Sequence, residues 1–115
     1  MTEDHIVSAI RRALPANAEI QINPGPGSFT VAVAWKLNND AERPNKMSKT
    51  IAIRVSHEAV EDFKAASAAK QTEACERVSA FIAGKISGFD PSHNTPRFEP
   101  PPVAHWLITS SVLLG

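Results

Sequence analysis

The chain has 115 residues, 43% of them hydrophobic, and twelve basic residues balance twelve acidic ones. That length suits a single domain spanning residues 1–115, and that apolar content builds a real core, which excludes wholesale disorder. A formal net charge of zero leaves no basic excess for gripping phosphates, and a single cysteine, Cys75, allows no intrachain disulfide.

The opening residues, Met-Thr-Glu-Asp-His-Ile, lack the basic and long apolar regions of a signal peptide. No apolar run approaches the ~18 residues that read as a membrane span. A cytoplasmic protein without membrane contact is the expectation.

Glu3 to Leu14 reads as a helix with Ile6, Ile10, Ala13 and Leu14 on one face. Thr2 is placed to cap its start, Arg11 and Arg12 favour its end, and Pro15 disfavours helical geometry at Leu14. Glu19–Asn23 alternates Ile20 and Ile22 with polar neighbours, a short strand leading into the Asn-Pro-Gly-Pro-Gly turn at 23–27.

The clearest pattern lies at 29–37. Phe29, Val31, Val33, Trp35 and Leu37 alternate with Thr30, Ala32, Ala34 and Lys36, so every bulky group falls on one face of a strand. After a polar loop at 38–48, Thr50–Val55 repeats the code, with Ile51, Ile53 and Val55 against Thr50, Ala52 and Arg54. Short connections make these three strands an antiparallel meander.

Ser56 reads as the cap of a helix running to about Ala66 and burying Val60 and Phe63. The stretch Ala65–Lys70 has no bulky apolar anchor, which predicts a break near Ser67. Periodicity returns from Gln71 to Ser87, with Ala74, Cys75, Val78, Phe81, Ile82 and Ile86 on one side and Gly88 as terminator. Five of the nine prolines fall in 90–102, marking an extended surface segment. The apolar stretch 103–114 reads as a terminal strand.

The fold class is therefore α+β, of order α-β-β-β-α-α-β: a mostly antiparallel four-stranded sheet with its helices packed on one face. The expected core is Ile6, Ile10, Leu14, Ile22, Val31, Val33, Trp35, Ile51, Ile53, Phe63, Val78, Phe81, Ile82 and Ile86.

Chemistry is less legible. The four histidines show no metal-ligand spacing, Cys75 has no second cysteine beside it, and no metal or cofactor is expected. His5 and His57 each fall in a helix first turn, as surface residues. Cys75 sits on an apolar stripe, as a small core residue rather than a nucleophile. Gly-Pro-Gly at 25–27 is too short to cradle phosphate, and no nucleotide-binding or nucleophile-elbow motif occurs. An enzyme is disfavoured on those grounds. An alternative small-molecule or catalytic pocket draws on Asp90, His93, Arg97 and His105, which a loop and a strand bring into range of one another.

The order helix, three strands, helix over about residues 3–87 resembles the double-stranded-RNA-binding domain in outline. That family sets lysines at the start of its second helix, where this chain has the acidic run Ser56-His57-Glu58-Ala59-Val60-Glu61-Asp62. Arg43, Lys46, Lys49 and Arg54 make a small basic set diluted by Asp40 and Glu42, so a nucleic-acid partner is not expected. The same order also resembles small bacterial secretion chaperones, whose family implies cytoplasmic α+β dimers. The leading expectation is a protein-interaction module, self-associating or binding another protein through an open sheet edge or the bare face of Ala32, Ala34, Lys36, Ala52 and Arg54.

Val33→Asp and Ile53→Asp each force a carboxylate into the expected core, and both are expected to abolish cooperative folding. A thermal melt by circular dichroism unchanged from the parent in either variant refutes the strand register.

Overall fold

Alternation along two central strands decides which way the molecule faces. In the computed structural model, which describes residues 2–37, 46–93, 99 and 102–114 (without the side chains of Thr2 and Glu3), these are β2 (Phe29–Ala34) and β3 (Thr50–Val55). Phe29, Val31, Val33, Ile51, Ile53 and Val55 are all buried, whereas the residues between them are half-buried or exposed. The buried row packs against α1 (Thr2–Arg12), α2 (His57–Ala65) and α3 (Ala68–Ser87), which supply Ile6, Ile10, Val60, Phe63, Val78 and Ile82 to one continuous core. Full burial of such a side chain contributes roughly 1.5–3 kcal/mol.

The sheet is completed by β1 (Glu19–Pro24) and β4 (Val103–Ile108), in the order β1-β2-β3-β4. β1–β2 and β2–β3 are antiparallel, but β3–β4 is parallel, so the sheet is mixed. The cause lies in the connection. From Val55 the chain returns through two helices over one face, and such a crossover delivers a strand parallel to the one it left.

Four expectations shift in detail. The first helix ends at Arg12 rather than Leu14 and includes Thr2 instead of starting after it; Ala13 and Leu14 close it with bonds to the Ile10 and Arg11 carbonyls. Residues 103–114 are not one strand. β4 stops at Ile108, and Ser110–Leu114 forms a short helix, α4, that buries Leu113; the Thr109 carbonyl accepts from both Val112 and Leu113. Ile22 faces the core side opposite Val31 yet stays 43% exposed, because β1 is an edge strand with a neighbour on one side only. Regular pairing of the second strand stops before residue 37.

That last change has a defined origin. Val33 faces Ile51, yet Lys36 bridges Met47, so the 47–51 side carries one residue more than the 33–36 side. This is a β-bulge. Ser48, fully buried, repairs the ladder there. The Trp35 N–H donates to its Oγ at 3.0 Å, its own N–H donates to the Trp35 carbonyl at 2.7 Å, and its hydroxyl donates to the Lys49 carbonyl. Lys49 and Thr50 turn their N–H groups the other way, to the carbonyls of Pro91 and Pro102. Leu14, Phe81, Ile86 and Trp35 are partly buried against the core, and Phe89 stands edge-on between Trp35 and Trp106 at 6.0 and 5.6 Å.

The break near Ser67 is present, and its cause is a cap rather than a missing anchor. Ala66 is extended (ψ 152°), and the Ser67 side chain accepts from Lys70 N–H to start α3. Gln71 reaches back across the break, its Nε2 donating to the Phe63 carbonyl at 2.9 Å. Ser56 caps α2 in the same way, accepting from Ala59 N–H. At the β1–β2 turn, Gly27 adopts φ +73°, and a Cβ there would fall on the His57 ring at the start of α2.

Ser48→Ala removes the acceptor of the part-buried Trp35 N–H, which costs about 0.5–1.5 kcal/mol. The expected result is a lower urea midpoint at unchanged m-value.

Candidate interaction surface: the uncovered sheet face

The strand register lays out the face opposite the helices in three rows. Asn23, Thr30, Arg54 and Leu107 form the first; Gln21, Ala32, Ala52 and His105 form the second. Glu19 and Ala34, then Thr50 and Val103, form the third at the edge of the bulge, Ala34 and Thr50 lining one depression. Among the described residues, no helix packs on these side chains. Ala32, Ala34 and Ala52 are half-buried by their neighbours alone, while Val103 and Leu107 are each 50% exposed.

Two shallow open depressions lie on this face. One is lined by Thr30, Ala52, Arg54, His105 and Leu107 with part of Trp106, the other by Glu19, Gln21, Ala32, Ala34 and Thr50 with parts of Ile20 and Val33. The alanines make the floor, since a methyl group adds little to a pleated surface. Arg54 and Glu19 are the charged members. Neither makes an ion pair among the described residues, where the salt bridges join Lys64 to Glu61 and Glu73 to Lys70 and Arg77.

The chain matches no known protein family, no curated protein and no solved structure. Its chemistry therefore has to be read from the geometry alone.

Ala32, Ala34, Ala52 and Arg54 are brought together as expected from the alternation. Lys36 lies beyond the end of β2, exposed and bridged to Met47. Val103 and Leu107 escaped the sequence reading, although the Val-x-x-x-Leu spacing within a strand is the signal that places both on one face.

Of the alternative pocket, Asp90, His93 and His105 lie among the described residues. Asp90 Oδ1 accepts from the Ser92 N–H at 3.0 Å and shapes a turn. His93 Nε2 lies 2.9 Å from the Met47 carbonyl, and the His93 carbonyl accepts from Lys46 Nζ, so this residue ties the 91–93 segment to the bulge. His105 is on β4, facing Arg54 and Ala52 across the bare face. Arg97 lies outside the described residues, as do Asp40, Glu42 and Arg43. Lys46 and Lys49 are engaged elsewhere, Lys49 over the Phe89 ring at 6.0 Å. The acidic start of α2 is exposed at Glu58, Glu61 and Asp62. Among the described residues, no group of three His, Cys, Asp or Glu side chains is arranged to hold a metal ion, and no helix is long and apolar enough to cross a membrane.

Cys75 and Ser79 face α1 one turn apart on α3. The Ser79 hydroxyl donates to the Ala9 carbonyl at 2.6 Å, and Cys75 Sγ contacts the His5 carbonyl at 3.7 Å. Burial pushes the Cys75 thiol above its ordinary pKa, and Arg12 offsets this only in part. A raised pKa means less thiolate at neutral pH, the wrong direction for a nucleophile. Alkylation of Cys75 by iodoacetamide is expected to be slower than that of a free thiol, with a midpoint at higher pH; a midpoint below that of free cysteine refutes the assignment.

Proposed function

We propose that the chain is a non-enzymatic interaction module that binds a second copy of itself through the uncovered sheet face. The observation that carries this reading is the pairing of two half-exposed aliphatic side chains, Val103 and Leu107, with the alanine floor of Ala32, Ala34 and Ala52. Small side chains let another backbone approach closely, and the aliphatic ones supply apolar area that gains by leaving water.

The sheet edges are weaker candidates. β1 ends on Pro24, which cannot donate to an added strand, and begins on Glu19, a charge of the kind that blunts edges. On β4 the aliphatic groups belong to the face rather than the edge. Among the described residues the three rows carry one cation and one anion, Arg54 and Glu19, so two identical sets of rows meet with no net repulsion.

Four strands spaced at ~4.8 Å and six residues long at ~3.3 Å each cover about 400 Å² of flat area. Counted over both copies that is about 800 Å², below the size of stable specific interfaces, and it implies a weak, concentration-dependent dimer. Sedimentation velocity from micromolar to several hundred micromolar protein is expected to show a rising weight-average coefficient. Ala52→Arg, which fills the floor without touching the core, is expected to leave the circular dichroism spectrum intact and hold the chain as a monomer. A strict monomer for the parent across that range overturns the reading.

A further inference from the structure

We infer that the two copies meet about a two-fold axis lying along the face from Ala32 to Val103, with Arg54 of each copy against Glu19 of the other. This deepens the self-association proposed above and rests on it.

The inference starts from the positions of Arg54 and Glu19, neither of which makes an ion pair among the described residues. Arg54 stands beside Thr30 and Glu19 beside Ala34. They are therefore separated by two strand spacings across the sheet and four residues along β2, about 16 Å. That is too far to pair within one chain. Ala32 lies midway along β2 between Thr30 and Ala34, and β2 lies midway between β1 and β3, so the midpoint of the Arg54–Glu19 diagonal falls on Ala32. A two-fold axis in the plane of the face, through that midpoint and perpendicular to the diagonal, exchanges the two charges and creates two equivalent ion pairs.

Other positions follow from that axis, and Leu107, beside Arg54 on β4, is carried to the rim of the interface next to the partner's Glu19. Carried across the sheet, that axis reaches β4 at Val103, which meets its own twin, so a half-exposed aliphatic side chain is covered by itself. Ala34 falls opposite the partner's Ala52, small group against small group. Thr30 falls near the partner's Gln21, polar against polar. The strands of the two sheets cross at about 70°, close to the orthogonal class of sheet packing. Self-complementarity of this kind is what a closed two-fold interface requires.

Charge reversal tests the axis directly. Arg54→Glu and Glu19→Arg each place like charges together at both ends of the interface. Each is expected to weaken dimerisation about tenfold, because two exposed pairs are lost and replaced by repulsion. The double variant Arg54→Glu/Glu19→Arg restores both pairs with reversed polarity and is expected to recover association to within about threefold of the parent. Sedimentation equilibrium at low salt is the measurement, with circular dichroism on every variant to show that these exposed residues leave the fold intact. If the parent dimerises but the double variant stays as weak as the singles, or the singles match the parent, this axis is wrong while self-association stands. If the parent never dimerises, both fall together.

Discussion

The structure depends on one constraint: six branched or aromatic side chains on two adjacent strands must all leave water on the same side. Phe29, Val31 and Val33 on β2, with Ile51, Ile53 and Val55 on β3, do so in matched register, each facing an equivalent residue across the ladder. A slip of one residue would turn that whole row outward, so the register is specified strongly. The placement of the helices follows, since each has to cover part of this row. Among the described residues the opposite face is left without a helix, and on β2 and β3 it carries small and polar side chains that lose little by exposure.

The helical layer is held by packing with a few directed bonds at its seams. α1 and α3 approach where Ser79 and Cys75 meet the carbonyls of Ala9 and His5, and Ala9 and Ala74 are completely buried. α2 and α4 are joined by the Ser110 hydroxyl donating to Asp62 Oδ2 at 2.6 Å. At the bulged end of β2 and β3, directed bonds through Ser48 and the Pro91–His93 segment add to apolar burial. The Trp35–Phe89–Trp106 ring contacts lie beside these bonds.

Much of this was legible in the residues. Period-two alternation located β2 and β3, period 3.6 located the helices, and Ser56 announced the cap it makes. What escaped the sequence depended on partners distant in the chain. Nothing near Ser48 reveals that its hydroxyl will meet Trp35 N–H, because the bulge is a property of two strands together. The parallel pairing of β4 was hidden for the same reason, and the switch to helix after Ile108 rests on Leu113 reaching a pocket between helices that a single-strand reading does not contain. Of the candidate surface, the alanines and Arg54 were visible as a pattern. Glu19, Val103 and Leu107 joined them only once the register of the outer strands was known, and the bonds of Asp90 and His93, to Ser92 and Met47, were likewise visible only in three dimensions.

The parallel β3–β4 pairing also bears on how the chain reaches this state. β1, β2 and β3 follow one another in the chain and can zip locally, but β4 must find β3 across the whole of α2, α3 and the proline-rich segment. Closing so long a loop delays contact formation. Until β4 docks, one side of β3 is an open backbone ladder beside Ile53, and Leu113 has no seat. The final strand and helix thus act as a late clasp, and during synthesis the exposed flank of β3 is the part of the molecule most open to pairing with the wrong chain.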